Sequence, residues 1–228
     1  MSSAYFDRSH LPRFGQIGRG NRAAADQFFA WYGLATGAGA LSVPQKCLVA
    51  LAVAHALPCV YCIDAYTSNC QENGLDLEEM TDAVHVAASV KASSVLAHAR
   101  QMVSQAQHRA IGGASTLPSS SYYDRDHVAA DATLAQTGGA AAARLAQWLE
   151  SAADAGNLPV LDKALIGVGV AHSIQCPYSI EWWTQRALLA GADLAQLTES
   201  VQVAAAIRGG ATLVTGIQML DQVDQRTM

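Results

Sequence analysis

Apolar residues recur along the chain at the three- and four-residue intervals of an α-helix, and no stretch alternates as a β-strand does. Glycines, prolines and capping residues divide this pattern into segments. In the first half, the segments predict helices at about 21–37, 42–57, 59–74 and 76–102. The sequence therefore predicts an all-α protein.

The ends of these helices carry recognisable signals. Asn21 and Ser42 are residue types that cap helix N-termini, and Asp76 begins a capping box at the start of the fourth helix. Pro58 ends the second helix, because proline cannot continue it. Gly74 ends the third, where a left-handed residue is expected.

The two halves of the chain superpose without a gap at an offset of 117 residues. Aligned pairs include His10 with His127, Trp31 with Trp148, Lys46 with Lys163, His55 with His172, and Cys59 with Cys176. Chance seldom produces so long an ungapped register, so the halves should share one fold. We predict two tandem helical repeats at 1–107 and 122–228, the second diverged, with a linker rich in Gly, Ser and Pro at 108–121.

Composition narrows the class of protein. Hydrophobic residues make up 51% of the chain and charged residues 14%, so we expect helix surfaces that pack against other subunits in a homo-oligomer. A net charge of −5 without a Lys/Arg cluster argues against a nucleic-acid partner. The N-terminus lacks a signal-peptide core, and the longest apolar run, 47–62, is interrupted by His55 and Pro58. These features predict a cytoplasmic protein with no membrane partner.

Cys59 and Cys62 are the most informative residues. Residues three apart on a helix share a face, so the two sulfurs can form and break a disulfide. Their place in the first helical turn favours the nucleophilic thiolate. The alternative is a pair of buried cysteines that act as small hydrophobic side chains. The second repeat has Cys176 and Ser179 at these positions, so it is expected to act as a scaffold.

A structural zinc site is not expected. Such a site needs four ligands. Cys70 lies about 12 Å along the helix from Cys62, so one small ion cannot bind both within that helix. Cys47 lies one helix earlier, and the tertiary fold would have to bring it close. A site for a softer ion, such as trivalent arsenic or copper, with Cys59, Cys62 and Cys47 as ligands, remains an alternative.

Several segments together resemble the alkylhydroperoxidase D / carboxymuconolactone decarboxylase superfamily. The resemblance covers nearly the whole chain, once per half. Within it, the chain is similar to the arsenosugar-biosynthesis-associated peroxidase-like proteins, which typically have one repeat. The segments that carry the resemblance are the helix beginning at Lys46, Cys59-Val60-Tyr61-Cys62-Ile63-Asp64-Ala65, Gly74 to Met80, and Ala83-Val84-His85-Val86-Ala87-Ala88.

In the peroxidase branch, the resemblance implies that Cys62 attacks the peroxide and that Cys59 resolves the product as a disulfide. The branch also uses a Glu and a His as a proton relay. Here Cys47 holds the Glu position and Tyr66 the His position. Tyr66 can donate a hydrogen bond, but a tyrosine is a poor base at neutral pH. His55, four residues before Cys59, is the candidate replacement, and a packing role shared with its aligned histidine explains it equally well.

The leading hypothesis is a cytoplasmic thiol oxidoreductase of the peroxidase type. The Cys59/Cys62 pair would reduce a small oxidised substrate, and the subgroup resemblance implies a link to arsenic metabolism. A thiol reductant would restore the dithiol without a bound cofactor. The two alternatives are a binding protein for a soft metal or trivalent arsenic, and a carboxymuconolactone decarboxylase-like lyase, which does not need the dithiol. The superfamily forms rings of six repeats, so the resemblance implies a homotrimer of tandem chains.

Overall fold

The computed structural model describes residues 6–110, 123 and 128–226, and these form an all-α structure. A 3-10 helix at Arg8–Arg19 comes first. Nine α-helices follow within the described residues: α1 (Arg22–Thr36), α2 (Val43–Ala56), α3 (Val60–Glu72), α4 (Leu77–Ala110), α5 (Val128–Asp154), α6 (Val160–Ser173), α7 (Pro177–Leu189), α8 (Leu194–Thr215) and α9 (Ile217–Arg226). The predicted fold class is confirmed.

The capping residues act as the sequence predicts. The Asn21 side chain accepts a hydrogen bond from the backbone at the start of α1, and Ser42 forms a reciprocal capping box at the start of α2. Asp76 exchanges the same pair of bonds with Glu79, and Gly74 has a φ of 81°. Helix α4 is longer than expected, because it continues past residue 102 to residue 110.

Helices α2 and α6 form the centre of the core and pack against each other. Each is also covered by α4 and α8, and ten of the fourteen residues of each helix are buried. Helix α3 packs on α2, α7 packs on α6, and the 3-10 helix packs against α1, α8 and α9. One continuous core thus joins the two repeats, and α3 is held at its edge.

Two buried lysines link the repeats by reciprocal ion pairs. Lys46 lies 3.0 Å from Glu199, and Lys163 lies 3.3 Å from Asp82. The same 117-residue offset relates the two lysines and the two carboxylates. Each carboxylate also accepts two backbone N–H bonds from the loop before the partner repeat's second helix. The pattern is the two-fold relation expected of a duplicated chain.

The expected linker lies outside the described residues at 111–121, as does the aligned residue His127. The helical stretch Leu194–Arg226 is long and apolar enough to cross a membrane by length and composition. It gives only weak support for a span, because Leu197, Val203 and Ile207 are buried in the core.

Candidate functional site

Cys59 and Cys62 meet at the N-terminus of α3. Cys59 is the N-cap residue, and its Sγ accepts a hydrogen bond of 3.4 Å from the backbone N–H of Cys62. Both are free thiols, with 7% and 9% of their surface exposed. The dithiol is thus intact, shielded from bulk water and held at the positive end of a helix.

The Cys59 and Cys62 thiols differ in acidity. A hydrogen bond from the Cys62 thiol, together with the N–H groups of Cys62 and Tyr61, lowers the pKa of Cys59 to about 7, although burial acts against this. The same hydrogen bond and burial raise the pKa of Cys62 well above its ordinary value. At neutral pH, Cys59 is therefore the thiol that ionises.

A cavity of about 350 Å³ opens beside this thiol. Its walls are mostly apolar, and Cys59 is the member of the dithiol that lines it. Arg208 and two threonines of α8 supply the polar part of the wall. The full lining comprises Phe6, Leu57, Pro58, Cys59, Val60, Tyr61, Arg208, Ala211, Thr212 and Thr215. The space suits a small molecule with an apolar body, and we refer to it below as the Cys59 cavity.

Tyr66 is buried behind the dithiol. Its hydroxyl lies 2.6 Å from that of Tyr32 on α1, and only 5% of the residue is exposed. Burial raises the pKa of Tyr66 well above its ordinary value, with a further contribution from Tyr32. Tyr66 is thus a hydrogen-bonded core residue in the resting protein, and it cannot serve as a base near neutral pH.

His55 is held by its own helix. Its Nδ1 lies 2.9 Å from the Leu51 carbonyl, and His172 makes the same contact of 2.8 Å with Val168 in the second repeat. Within the described part of the chain, no hydrogen bond joins His55 to either thiol. The shared contact favours the packing role over the relay role, because the second repeat has no dithiol to serve.

Cys47 does not join the dithiol in a metal site. No group of three or more His, Cys, Asp or Glu side chains in the described residues is placed to hold a metal ion. Cys47 instead lies 3.9 Å from the Asn73 side chain, and burial raises its pKa. Burial also raises the pKa of Cys70 to about 12. These two cysteines belong to the core, and the three-ligand alternative finds no support in the geometry.

Two residues that the sequence reasoning did not select, Phe6 and Tyr61, line the cavity, and His10 connects Tyr61 to Asp221 behind it. The Tyr61 hydroxyl lies 2.8 Å from Nδ1 of His10, and Nε2 of His10 lies 3.1 Å from the Asp221 carboxylate. Phe6 packs edge-to-face on the Tyr61 ring. The alignment of His10 with His127 and of Tyr61 with Tyr178 was the available signal. It gave no reason to place an N-terminal histidine beside α3.

The second repeat has a different arrangement at the same place. Cys176 caps α7 without a side-chain hydrogen bond, and buried Ser179 replaces the second thiol. Trp183 takes the position of Tyr66 and packs against Gly167, where a side chain would collide with the indole ring. This indole fills core volume, as expected from the sequence.

Comparison with known proteins agrees with the duplicated fold. The model of the carboxymuconolactone decarboxylase family matches the chain twice, at residues 23–105 and 139–222. The chain belongs to the carboxymuconolactone decarboxylase family. The superfamily and the tandem form inferred from the sequence are therefore confirmed. His10 lies before the first segment that matches this family.

Two relatives illustrate the range of similarity. The chain is 32% identical over 87 residues to "Uncharacterized protein 4 in cox locus" of Paracoccus denitrificans. These residues are 38% of this chain and 78% of the relative, which is therefore about one repeat long. The fold is similar to the crystal structure of "a putative gamma-carboxymuconolactone decarboxylase subunit" from Burkholderia xenovorans, with a TM-score of 0.75 and 13% identity over 97% of both chains.

Proposed function

We propose that the protein is a thiol-dependent oxidoreductase of the peroxidase type, with the Cys59/Cys62 pair as its redox centre. The observation that carries the proposal is the placement of Cys59: a thiol with a pKa of about 7 lines a cavity that suits a small molecule. A thiolate is the reactive form toward peroxides. Cys62 lies one helical turn away and supplies the second thiol that a disulfide needs.

The reaction needs two steps. The Cys59 thiolate attacks one peroxide oxygen, the O–O bond breaks, and the leaving oxygen takes up a proton to give an alcohol. Cys59 is then a sulfenic acid. The Cys62 thiol attacks its sulfur, a disulfide forms and water leaves. Two electrons pass from the dithiol to the peroxide, and an external thiol reductant restores the dithiol by exchange.

This order of events reverses the one that the family resemblance implies. The resemblance makes Cys62 the attacking thiol, whereas its raised pKa and its position behind Cys59 favour the resolving role. Cys59 has the acidity and the access that an attacking thiol needs.

The roles are tested by stopped-flow measurement of thiol loss with cumene hydroperoxide. We expect Cys62→Ser to react once and to accumulate a sulfenic acid that dimedone traps at Cys59, and Cys59→Ser to lose the reaction. Cys176→Ser is the matched control and should behave as wild type. An unreactive Cys62→Ser with a reactive Cys59→Ser would restore the order that the resemblance implies. Equal thiol loss in all variants would refute the function.

The subgroup resemblance also suggests a substrate. An oxidised arsenical is the second probe in the same assay, because a dithiol can reduce it with the same two electrons. A faster loss of Cys59 and Cys62 thiols with this probe than with the hydroperoxide would support a role in arsenic chemistry. No thiol loss with the arsenical would leave the peroxide as the substrate class.

The proposed enzyme is cytoplasmic and assembles as a homotrimer. Large apolar side chains on the surface of the single chain support an oligomer, since exposed apolar patches often mark interfaces. The most exposed are Leu34, Leu77, Val95, Leu189 and Leu194. Light scattering of the purified protein tests this assembly, and a dimer would contradict it.

A decarboxylase-like lyase is the second candidate function. The whole-chain similarity to the Burkholderia fold and the two family matches favour it. Such a lyase does not depend on Cys59 or Cys62. A Cys59→Ser/Cys62→Ser double variant that keeps decarboxylase activity on a muconolactone would establish the lyase, whereas wild type without that activity would eliminate it.

A further inference from the structure

A hydrogen-bonded chain of three side chains ends at the Cys59 cavity. Asp221 on α9 lies 3.1 Å from His10 Nε2, and His10 Nδ1 lies 2.8 Å from the hydroxyl of Tyr61. The 3-10 helix and α9 thus each contribute one side chain to a chain that ends at Tyr61, inside the Cys-x-x-Cys segment of α3. The His10 and Asp221 side chains are 16% and 24% exposed, and Tyr61 is 4% exposed. The chain links the cavity wall to the surface.

We propose that Tyr61, His10 and Asp221 form the proton relay of the dithiol site, in place of the Glu and His that Cys47 and Tyr66 have replaced. The inference rests on the proposed peroxidase function, because breaking the O–O bond creates a demand for a proton. Tyr61 lines the same cavity as Cys59, and its backbone N–H is directed at the Cys59 sulfur. The proton donor and the nucleophile therefore border one space.

The polarity of the two hydrogen bonds explains how such a relay works. Asp221 accepts a bond from Nε2–H of His10 in either charge state. When His10 is neutral, its Nδ1 accepts the Tyr61 hydroxyl hydrogen. When His10 is protonated, Nδ1–H donates to the Tyr61 oxygen, and the hydroxyl hydrogen is free for an acceptor in the cavity. Protonation of His10 thus turns Tyr61 into a donor toward the substrate.

The proton balance closes over one turnover. The leaving oxygen of the peroxide takes the Tyr61 proton, and Tyr61 takes the proton from Nδ1 of His10. The imidazolium becomes neutral, and water at the exposed side of His10 restores its proton. Asp221 positions the ring and remains charged throughout.

The charged groups around His10 suit this role. Arg13, on the same 3-10 helix, donates to the other oxygen of Asp221 at 2.6 Å and fixes that carboxylate. Arg8, also on this 3-10 helix, donates to the Asp64 carboxylate on α3. Asp221 and Asp64 thus each have an arginine partner.

The second repeat differs from the first at the aligned positions. Tyr178 holds the position of Tyr61, but Ser104 holds that of Asp221 and has no carboxylate. The Tyr178 ring lies under the Arg100 guanidinium, 4.6 Å from its centre. Tyr178 therefore offers a matched control for Tyr61.

Two rates measured on the same protein test the relay. Hydroperoxide reduction needs a proton for the leaving oxygen, whereas alkylation of Cys59 by iodoacetamide releases iodide and needs none. We expect Tyr61→Phe and His10→Asn to slow thiol loss with cumene hydroperoxide by about 100-fold. Alkylation of Cys59 should stay within about twofold of wild type, because a relay acts on the leaving group and not on the thiolate.

The pH profile gives the readout that a merely structural role would not change. Divided by the Cys59 thiolate fraction, the wild-type hydroperoxide rate should still depend on pH, and this dependence should vanish in His10→Asn. Tyr178→Phe should keep the wild-type rate and profile.

The results separate this inference from the proposed function. A Tyr61→Phe variant with the wild-type hydroperoxide rate would overturn the relay, and so would an equal loss of both rates. A wild-type protein that alkylates normally but ignores hydroperoxide would overturn the proposed function, and the relay with it.

Discussion

The acidity of Cys59 gives the sharpest prediction about the resting protein. The structure lowers its pKa from an ordinary value of 9.0 to about 7. At pH 7, about half of the Cys59 side chains are then thiolate, against about 1% for a thiol of ordinary acidity. The thiolate fraction is thus about 50-fold larger, but the lower pKa also reduces the intrinsic nucleophilicity of the thiolate by about six- to tenfold. We therefore expect Cys59 to react with iodoacetamide about five- to eightfold faster at this pH than its ordinary acidity allows.

The assay follows alkylation at each cysteine separately, by peptide mass spectrometry over a range of pH. The Cys59 rate should rise with a midpoint near 7. Cys62→Ala removes the thiol that contributes most to the lowered pKa but keeps the backbone N–H groups. Its midpoint should lie between 7 and 9, and its rate at pH 7 should fall by about two- to eightfold. Cys176→Ala, the aligned change in the second repeat, should leave the Cys59 profile unchanged.

Two results would refute this reasoning. A wild-type midpoint near 9 would mean that the helix N-terminus and the Cys62 thiol do not stabilise the thiolate. An unchanged midpoint in Cys62→Ala would mean that the lowered pKa of Cys59 has another source. Either result would also remove the reason for making Cys59 the attacking thiol.

Three further predictions concern the scaffold. Gly167→Ala should destabilise the protein by about 1–3 kcal/mol in urea unfolding, because the new Cβ meets the buried Trp183 ring, whereas Gly33→Ala, with open space around it, should not. Destabilisation of equal size in both would contradict the packing argument. Glu199→Gln should cost about 3 kcal/mol at pH 7, because it leaves a buried ammonium without its charged partner. Burial alone would raise the pKa of Glu199, but backbone N–H bonds and that ammonium hold it below 4.5, so the stabilisation is present above pH 4.5 and is lost as the pH falls through the lowered pKa. The free energy of unfolding in urea should therefore fall more from pH 7 to pH 3 in wild type than in Glu199→Gln. An equal fall in both proteins would contradict the role of this ion pair. Tyr66→Phe should lower the free energy of unfolding by about 1–2 kcal/mol, because it leaves the buried Tyr32 hydroxyl without its partner. The variant should keep the wild-type hydroperoxide rate, because Tyr66 is not part of the relay. A large loss of rate at unchanged stability would reverse that assignment.

The local rules of helix formation made most of the fold predictable. Asn21, Ser42, Gly74 and Asp76 act where the sequence places them, because caps depend on neighbours three residues away. The end of α4 was missed by eight residues. The additional residues pack against α5, where Gln107 donates to the Thr133 hydroxyl, and such a tertiary contact cannot be read from the local sequence.

The candidate site was predictable only in part, for a physical reason. The dithiol is local, so Cys59 and Cys62 were found from their spacing. The contact between His10 and Tyr61 spans 51 positions, and Asp221 lies at the other end of the chain. Such contacts depend on how the 3-10 helix and α9 pack against α3, and no local pattern encodes that packing. His55 looked more suitable because it is near in sequence.

The most direct test of the central claim is disulfide mapping after a single turnover. Protein reduced under argon is treated with one equivalent of cumene hydroperoxide, blocked with iodoacetamide and digested. We expect one peptide in which Cys59 and Cys62 are joined, about 2 Da lighter than the dithiol form, and its return to the dithiol on addition of a thiol reductant. Unconsumed hydroperoxide with both thiols still open to alkylation would contradict the account.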